Sequence, residues 1–169
     1  LGNVLRSSDD LSSAIEAFER ALAHNPQYAD AAFNLGNTRQ QVGDVQGAIQ
    51  AYATSYLLQP DDVKTLYNLS LTLKQITFTE PNNLFQHIII SILSVETICS
   101  PPEIFEAAIS LLNFEKSLKI LQESHEQPKS AETLSKELKE LSELPLFLKL
   151  LELTPIADTK IEKGLSKVR

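Results

Sequence analysis

The side chains that most often carry nucleophilic or metal chemistry are few and scattered in this chain. The three histidines, His24, His87 and His125, do not have the spacing of zinc ligands. Cys99 is the single cysteine, so it cannot form a disulfide within the chain, and the sequence places no histidine beside it to activate the thiol. We therefore interpret Cys99 as a small buried hydrophobic residue and predict no metal site.

Paired carboxylates could act in acid–base catalysis, but their positions favour a structural role. Asp9-Asp10 and Asp61-Asp62 stand at turns before predicted helices, where a carboxylate can accept hydrogen bonds from the first turn. The five glycines stand at positions 2, 36, 43, 47 and 164 and do not form the glycine-rich loop of a dinucleotide or phosphate site. We predict no catalysis within these residues and no cofactor.

The first half of the chain has a sequence pattern that repeats every 34 residues. Leu1-Gly2-Asn3 recurs as Leu35-Gly36-Asn37. Other pairs with this spacing are Ala14 and Ala48, Ile15 and Ile49, Phe18 and Tyr52, and Pro26 and Pro60. The repeat is lost beyond about residue 75, which predicts a repetitive first half and a different second half.

The period and its residues resemble the tetratricopeptide repeat (TPR). The resemblance rests on the Leu35-Gly36 pair, on Ala48 with Tyr52 four residues later, and on the terminal Pro60. The chain departs from the family pattern where aromatic residues are replaced by Leu5, Ala32, Arg39, Leu66 and Leu73. The resemblance implies two antiparallel helices per repeat, with small residues where the helices approach, and repeats that must stack to bury their apolar faces.

The same resemblance implies a binding surface, because the first helices of successive TPR repeats line a concave groove. The residues that would face this groove are Asn3, Phe33, Asn34, Asn37, Gln41, Lys64, Tyr67, Asn68, Leu71 and Lys74. Asn34 and Asn68 would form a vertical pair that donates to and accepts from a peptide backbone, similar to the ladders in the repeat arms of protein glycosyltransferases. Phe33 and Tyr67 would receive apolar side chains. The alternative is that these residues are solvated or pack within the hairpins.

The second half is predicted to contain further helices after a turn-rich break at residues 79–83. The helical stretches are residues 84–95, 101–113, 115–124, 131–143, a helix beginning at Pro145, and a last helix through Leu165. The β-branched run Ile88–Ile90 could form a strand, but no alternating partner strand is evident. Residues 151–169 resemble the helical spacer before the catalytic domain of bacterial repeat-containing S-adenosylmethionine methyltransferases, which implies an enzyme beyond this chain.

Charge and hydropathy exclude several classes of partner. The formal net charge is -7, and the acidic and basic residues are interspersed. This argues against nucleic acid, which needs a Lys/Arg-rich face, and against an anionic membrane surface. The longest apolar stretch, residues 84–98, is too short and too polar to span a bilayer, and we expect a cytoplasmic protein. Because the chain starts within a repeat and has no methionine, we expect it to be part of a longer protein.

Together these patterns predict an all-α chain. Residues 1–76 would form stacked TPR hairpins in an α-solenoid, and residues 77–169 a helical spacer or bundle. The predicted function is a non-catalytic scaffold that binds a protein or an extended peptide, with no nucleic acid and no membrane insertion. One alternative is the substrate-recruiting arm of a larger bacterial methyltransferase or glycosyltransferase, covalently continued into a catalytic domain. Another is a structural spacer or an oligomerisation arm.

Overall fold

The structure, a computed structural model, describes residues 2–7, 10–74, 76–95, 101–115 and 130–153, and the regular elements within those ranges are all α-helices. They are α1 (Gly2–Ser7), α2 (Leu11–His24), α3 (Ala29–Gln41), α4 (Val45–Leu58), α5 (Val63–Leu73), α6 (Asn83–Ser94), α7 (Pro101–Leu112), α8 (Ala131–Leu141) and α9 (Pro145–Leu153). The all-α prediction is confirmed, and the run Ile88–Ile90 lies within α6.

The chain divides into two compact units, Leu1–Leu73 and Lys74–Arg169. The first unit contains α1 to α5, and each of these helices packs on the next one along the chain, so the unit is a stack of helical hairpins. The predicted boundary after residue 76 stays a prediction. The predictions for Cys99, for the helix after residue 115 and for the last helix through Leu165 fall outside the described residues.

Aspartates begin the helices of the first unit. Asp10 accepts a hydrogen bond from the backbone N–H of Ser13 at 3.2 Å, and its counterpart one period later, Asp44, accepts from Gly47 at 2.9 Å. Asp62 accepts from the N–H of Thr65 at 3.1 Å at the start of α5. Each carboxylate satisfies an N–H that has no partner within its helix. The predicted capping role is confirmed for these three aspartates.

The turn between α3 and α4 depends on a glycine. Gly43 has a φ of +79°, a left-handed conformation that side-chain-bearing residues rarely adopt. It lets the N–H of Asp44 donate to the carbonyl of Arg39 at 2.9 Å, while its own N–H donates to Gln40 at 3.1 Å. These bonds satisfy the last carbonyls of α3 and reverse the chain into α4.

The two helices of each hairpin meet where a glycine faces an aromatic ring. A Cβ placed on Gly36 would lie 2.5 Å from the Cδ1 and Cε1 atoms of Tyr52, which is fully buried. One period earlier, a Cβ on Gly2 would lie 2.6 Å from the Cε1 and Cζ atoms of Phe18. The glycine therefore allows the ring of the second helix to lie against the backbone of the first. Ser70 takes the next equivalent position, where the counterpart of the ring would be residue 86, a glutamine.

Arg39 stands where the repeat pattern has an aromatic residue, and the structure shows what it does there. Its Nη2 lies 2.6 Å from the Glu19 carboxylate of α2, and its Nη1 donates to the carbonyl of Gly47 in α4 at 3.2 Å. Its Nε is 3.8 Å from the Asp44 carboxylate. The guanidinium thus joins α2, α3 and α4 through polar contacts where the family pattern uses a ring.

The second unit is a helical bundle in its described residues. α9 packs on α6 and α7, and α6 packs on α7. Asn82 caps α6 by accepting from the N–H of Phe85 at 3.2 Å, and the buried Ser110 of α7 accepts from the N–H of Phe78 at 2.9 Å. The fully buried side chains at the centre of the unit include Ile88, Ile89, Ile92, Ile104, Leu111 and Leu146. Among the described helices, none has both the length and the apolar character needed to cross a membrane.

We predict that the contact between Gly36 and Tyr52 is energetically coupled. Gly36→Ala should reduce the free energy of unfolding by about 1–3 kcal/mol, because the added methyl group overfills the space against the ring. In a Tyr52→Ala background the same substitution should cost nothing, since alanine favours a helix over glycine by up to about 1 kcal/mol. Urea unfolding of wild type, both single variants and the double variant measures the coupling.

Gly43→Ala is the matched control. Nothing lies within 4 Å of a Cβ at this position, so its cost, about 1 kcal/mol, comes from the left-handed backbone and should not depend on Tyr52. If Gly36→Ala is equally destabilising with and without the Tyr52 ring, the assignment of this contact is wrong.

Candidate peptide-binding surface

Four asparagines, Asn3, Asn34, Asn37 and Asn68, lie across the first, third and fifth helices; we call them the asparagine row. Asn34 and Asn37 are three residues apart in α3 and therefore on one side of that helix. Asn3 in α1 is exposed, whereas the three others are half-buried. Asn3 and Asn34 line one cavity, and Asn37 is hydrogen-bonded to Asn68. The row is therefore continuous from α1 through α3 to α5.

Asn37 is the centre of a hydrogen-bond network. Its Oδ1 accepts from the Nδ2 of Asn68 at 2.9 Å and lies 2.8 Å from the hydroxyl of Tyr52. The same hydroxyl lies 2.9 Å from the Oε1 of Gln40, and because it has one proton it donates to one of these two oxygens at a time. The network ties α3, α4 and α5 together beneath the row.

Tyr52 is neutral in this network. Burial raises its pKa to about 12, while the hydrogen bond from Asn68 and the positive charge of Arg6 act in the opposite direction. A neutral hydroxyl can donate to a carboxamide oxygen, whereas a phenolate could only accept. The network therefore requires the protonated form.

The observed pairing differs from the predicted vertical pair of Asn34 and Asn68. Asn68 bonds to Asn37, 31 residues earlier, and the Nδ2 of Asn34 donates to the carbonyl of Asp30 in its own helix at 2.8 Å. Asn3 and Asn34, which share the cavity, have the same separation of 31 residues. Side chains lean toward the start of their own helix, so residues that meet across neighbouring parallel helices need not be a full period apart.

The two predicted aromatic groove residues have different environments. Phe33 is half-buried, and its ring centroid is 5.9 Å from that of Tyr52 with an angle of 52° between the rings. It therefore takes part in packing within the hairpin, as the alternative interpretation held. Tyr67 in α5 is 47% exposed, so much of its ring is open to solvent.

The remaining predicted residues differ in the exposure of their side chains. Gln41 and Lys64 are exposed, and Leu71 is half-buried. Lys74 is half-buried and belongs to the second unit. The groove assignment of all ten predicted residues stays a prediction, whereas the hydrogen bonds of Asn34, Asn37 and Asn68 are observed.

A cavity of about 170 Å³ lies beside the row. Its lining residues are Gly2, Asn3, Ala17, Phe18, Ala21, Tyr28, Ala31 and Asn34. Six of these residues were not among those predicted from the sequence. A pattern that could have revealed the cavity is the set of small residues Ala17, Ala21 and Ala31, which occupy positions where the next repeat has Ala51, Ser55 and Thr65.

Metal-ligating side chains do not cluster among the described residues. Within them, no three His, Cys, Asp or Glu side chains come together in a group that could hold a metal ion. Asp10, Asp44 and Asp62 instead accept hydrogen bonds at helix starts.

Comparison with known proteins agrees with the repeat architecture. The sequence profile of a family described as "Tetratricopeptide repeat" matches residues 1–69. TPR repeats generally mediate contacts between proteins and are typically non-catalytic. The predicted likeness of residues 151–169 to a methyltransferase spacer finds no support, and residues 154–169 lie outside the described part of the chain.

A solved structure described as "Crystal structure of MamA" is similar to this chain. The two share 19% identity, with 98% of this chain and 97% of that chain covered, and the TM-score is 0.48. A likeness of this size transfers no function. No curated protein matches the chain in sequence.

The raised pKa of Tyr52 predicts a specific loss of stability in alkali. Because the pKa is higher in the folded protein than its ordinary value of 10.0, the neutral hydroxyl stabilises the fold below pH 10 and this contribution declines between pH 10 and pH 12. Between pH 9 and pH 11 the free energy of unfolding should fall by roughly 1 kcal/mol through this group. Urea unfolding at both pH values measures the fall.

Tyr52→Phe removes this titration and serves as the control for lysines and other tyrosines that also titrate in this range. The difference in stability between wild type and Tyr52→Phe should shrink by the same amount from pH 9 to pH 11. A difference that stays constant would mean that the hydroxyl does not titrate as described.

Proposed function

We propose that the first unit is a non-catalytic scaffold that binds an extended segment of another protein along the asparagine row. The observation that carries this proposal is the continuity of the row, in which Asn3 and Asn34 share a cavity and Asn37 bonds to Asn68. Four carboxamides on three successive first helices offer alternating donors and acceptors. An extended peptide backbone offers the same groups in return.

The spacing of the helices suits this ligand. Packed helix axes are about 8–10 Å apart, and an extended chain advances about 3.3 Å per residue. One carboxamide group would therefore meet the ligand about every three residues. Contacts of this kind are made to the backbone of the ligand, so ligands of many sequences can form them.

The hydrogen-bond network supports the same function by holding the amides in place. The oxygen of Asn37 already accepts from Asn68 and contacts Tyr52, whereas its amide nitrogen carries two further N–H donors. Side chains fixed before binding lose less conformational entropy when the ligand arrives. A preorganised donor at the centre of the row is therefore suited to a peptide carbonyl.

The test begins with selection of peptides from a random display library on the immobilised chain, followed by calorimetric titration of the peptides obtained. Asn34→Ala combined with Tyr67→Ala should weaken binding about tenfold or more, because two polar or aromatic contacts of about 0.5–1.5 kcal/mol each are lost. Both side chains are at least partly exposed, so the fold should persist.

The matched control combines Gln46→Ala with Leu57→Ala. Both residues are exposed on α4, and Leu57 is 60% exposed, so the control removes one amide and one apolar side chain away from the row. Its affinity should equal that of wild type. If the two double variants bind the selected peptides equally well, the ligand does not lie along the row and the proposal fails.

A further inference from the structure

The residues that line the cavity beside Asn3 and Asn34 have counterparts one repeat later, and the two sets can be compared position by position. Adding 34 to each lining residue gives Gly36, Asn37, Ala51, Tyr52, Ser55, Asp62, Thr65 and Asn68. We call the set of residues around Phe18 the first hollow and the set around Tyr52 the second hollow. The first lies between the α1–α2 hairpin and α3, and the second between the α3–α4 hairpin and α5.

Hydroxyl groups and amides occupy the second hollow. The Oγ of Ser55 lies 3.3 Å from the Oγ1 of Thr65, which donates to Asp62 at 2.6 Å. Ser55 and Thr65 are both almost fully buried. Above them, Asn68 bonds to Asn37, which also contacts the hydroxyl of Tyr52. Side chains of the protein therefore satisfy one another across this hollow.

The first hollow lacks each of those hydroxyl groups. Phe18, Ala21 and Ala31 replace Tyr52, Ser55 and Thr65. Asn34 of the first hollow corresponds to Asn68 of the second. Asn34 donates to the carbonyl of Asp30 in its own helix, whereas Asn68 donates to Asn37 of the neighbouring first helix. What remains is a space of about 170 Å³ with alanine and phenylalanine walls and two carboxamides at its edge.

We propose that the first hollow is a specificity pocket that receives one aliphatic side chain of the extended ligand, of about leucine size. This inference rests on the proposed function and adds the chemistry of one ligand residue. Asn3 and Asn34 would contact the peptide groups on either side of that residue. The exposed Tyr28, which also lines the hollow, would cover the part of the side chain nearest to solvent.

Volume and polarity select this occupant. An apolar cavity of about 150 Å³ accepts a molecule of benzene size, whereas sites for whole small-molecule ligands occupy about 300–1,000 Å³. The first hollow is therefore of the right size for a single side chain. None of its lining residues is charged, so a lysine or glutamate side chain would lose hydration without gaining a partner. Burial of a leucine side chain corresponds to a preference over alanine of about tenfold or more.

The test uses two small probes, N-acetyl-leucine methylamide and N-acetyl-alanine methylamide, each with two peptide groups and one side chain. The full chain is labelled with ¹³C in its alanine methyl groups and titrated by NMR. The leucine probe should shift the methyl signals of Ala17, Ala21 and Ala31 in a saturable manner. The signals of Ala107 and Ala108, which are buried in the second unit, should stay in place. The alanine probe should bind at least tenfold more weakly.

A variant that copies the second hollow provides the control. Ala21→Ser combined with Ala31→Thr introduces the hydroxyl groups found one repeat later, and Ala17 remains as the reporter. The leucine probe should no longer shift Ala17. A urea midpoint near that of wild type shows that the variant is folded. If the variant does not fold, the difference in affinity of wild type for the two probes tests the proposed pocket.

Three results would overturn the inference: equal binding of the two probes, unchanged leucine binding by the folded variant, or shifts of Ala107 and Ala108 in place of the three alanines of the first hollow. Failure of the proposed function would give different experimental results from failure of the pocket. If selected peptides bind along the row but show no aliphatic requirement, the pocket is wrong and the scaffold stands. If the leucine probe occupies the hollow but no selected peptide depends on Asn34 and Tyr67, the scaffold is wrong and so is a pocket for a peptide ligand.

Discussion

The close approach of the Gly36 backbone to the Tyr52 ring is the contact on which the first unit depends. A hydrogen in place of a methyl group allows the ring to lie fully buried between two helices. The ring in turn places its hydroxyl beside Asn37, and Asn37 holds Asn68 of the next repeat. A steric constraint between α3 and α4 thus acts on polar groups of the proposed binding surface, on Asn37 beside the glycine and, through it, on Asn68 two helices further along the chain.

Polar contacts at the hairpin turn complement this apolar one. Gly43 reverses the chain, Asp44 caps the following helix, and Arg39 contacts both that turn and Glu19 of the preceding hairpin. Arg39 is only 22% exposed, so its charge is partly shielded from water and its contacts are stronger than those of a fully exposed pair. The unit is therefore held by a ring contact on one side of the hairpin and by a charged group near its turn.

The sequence predicted the elements well and their contacts only in part. The period, the glycine and proline positions and the capping aspartates are local properties, so the helices and hairpins followed from them. The partner of Asn68 did not, because the lean of side chains along a helix shifts contacts by several residues from the period. The role of Arg39 depends on Glu19, 20 residues away in sequence. The first hollow lies where Ala21 and Ala31 replace Ser55 and Thr65 of the next repeat, a difference that is visible in the sequence, whereas the open space beside the alanines depends on the packing of three helices.

The difference between the two hollows has a consequence for how a bound chain would be aligned. A surface built from identical repeats offers equivalent positions, and a ligand can slide from one repeat to the next at no cost. Here the neighbouring hollows differ by the hydroxyl oxygens of Tyr52, Ser55 and Thr65, and by the Asp62 carboxylate, which stands where the first hollow has Tyr28. A ligand displaced by one repeat would bring its aliphatic side chain from alanine walls to hydroxyl groups that are already paired. These polar groups would thus fix the register of a ligand whose backbone contacts alone leave it undefined.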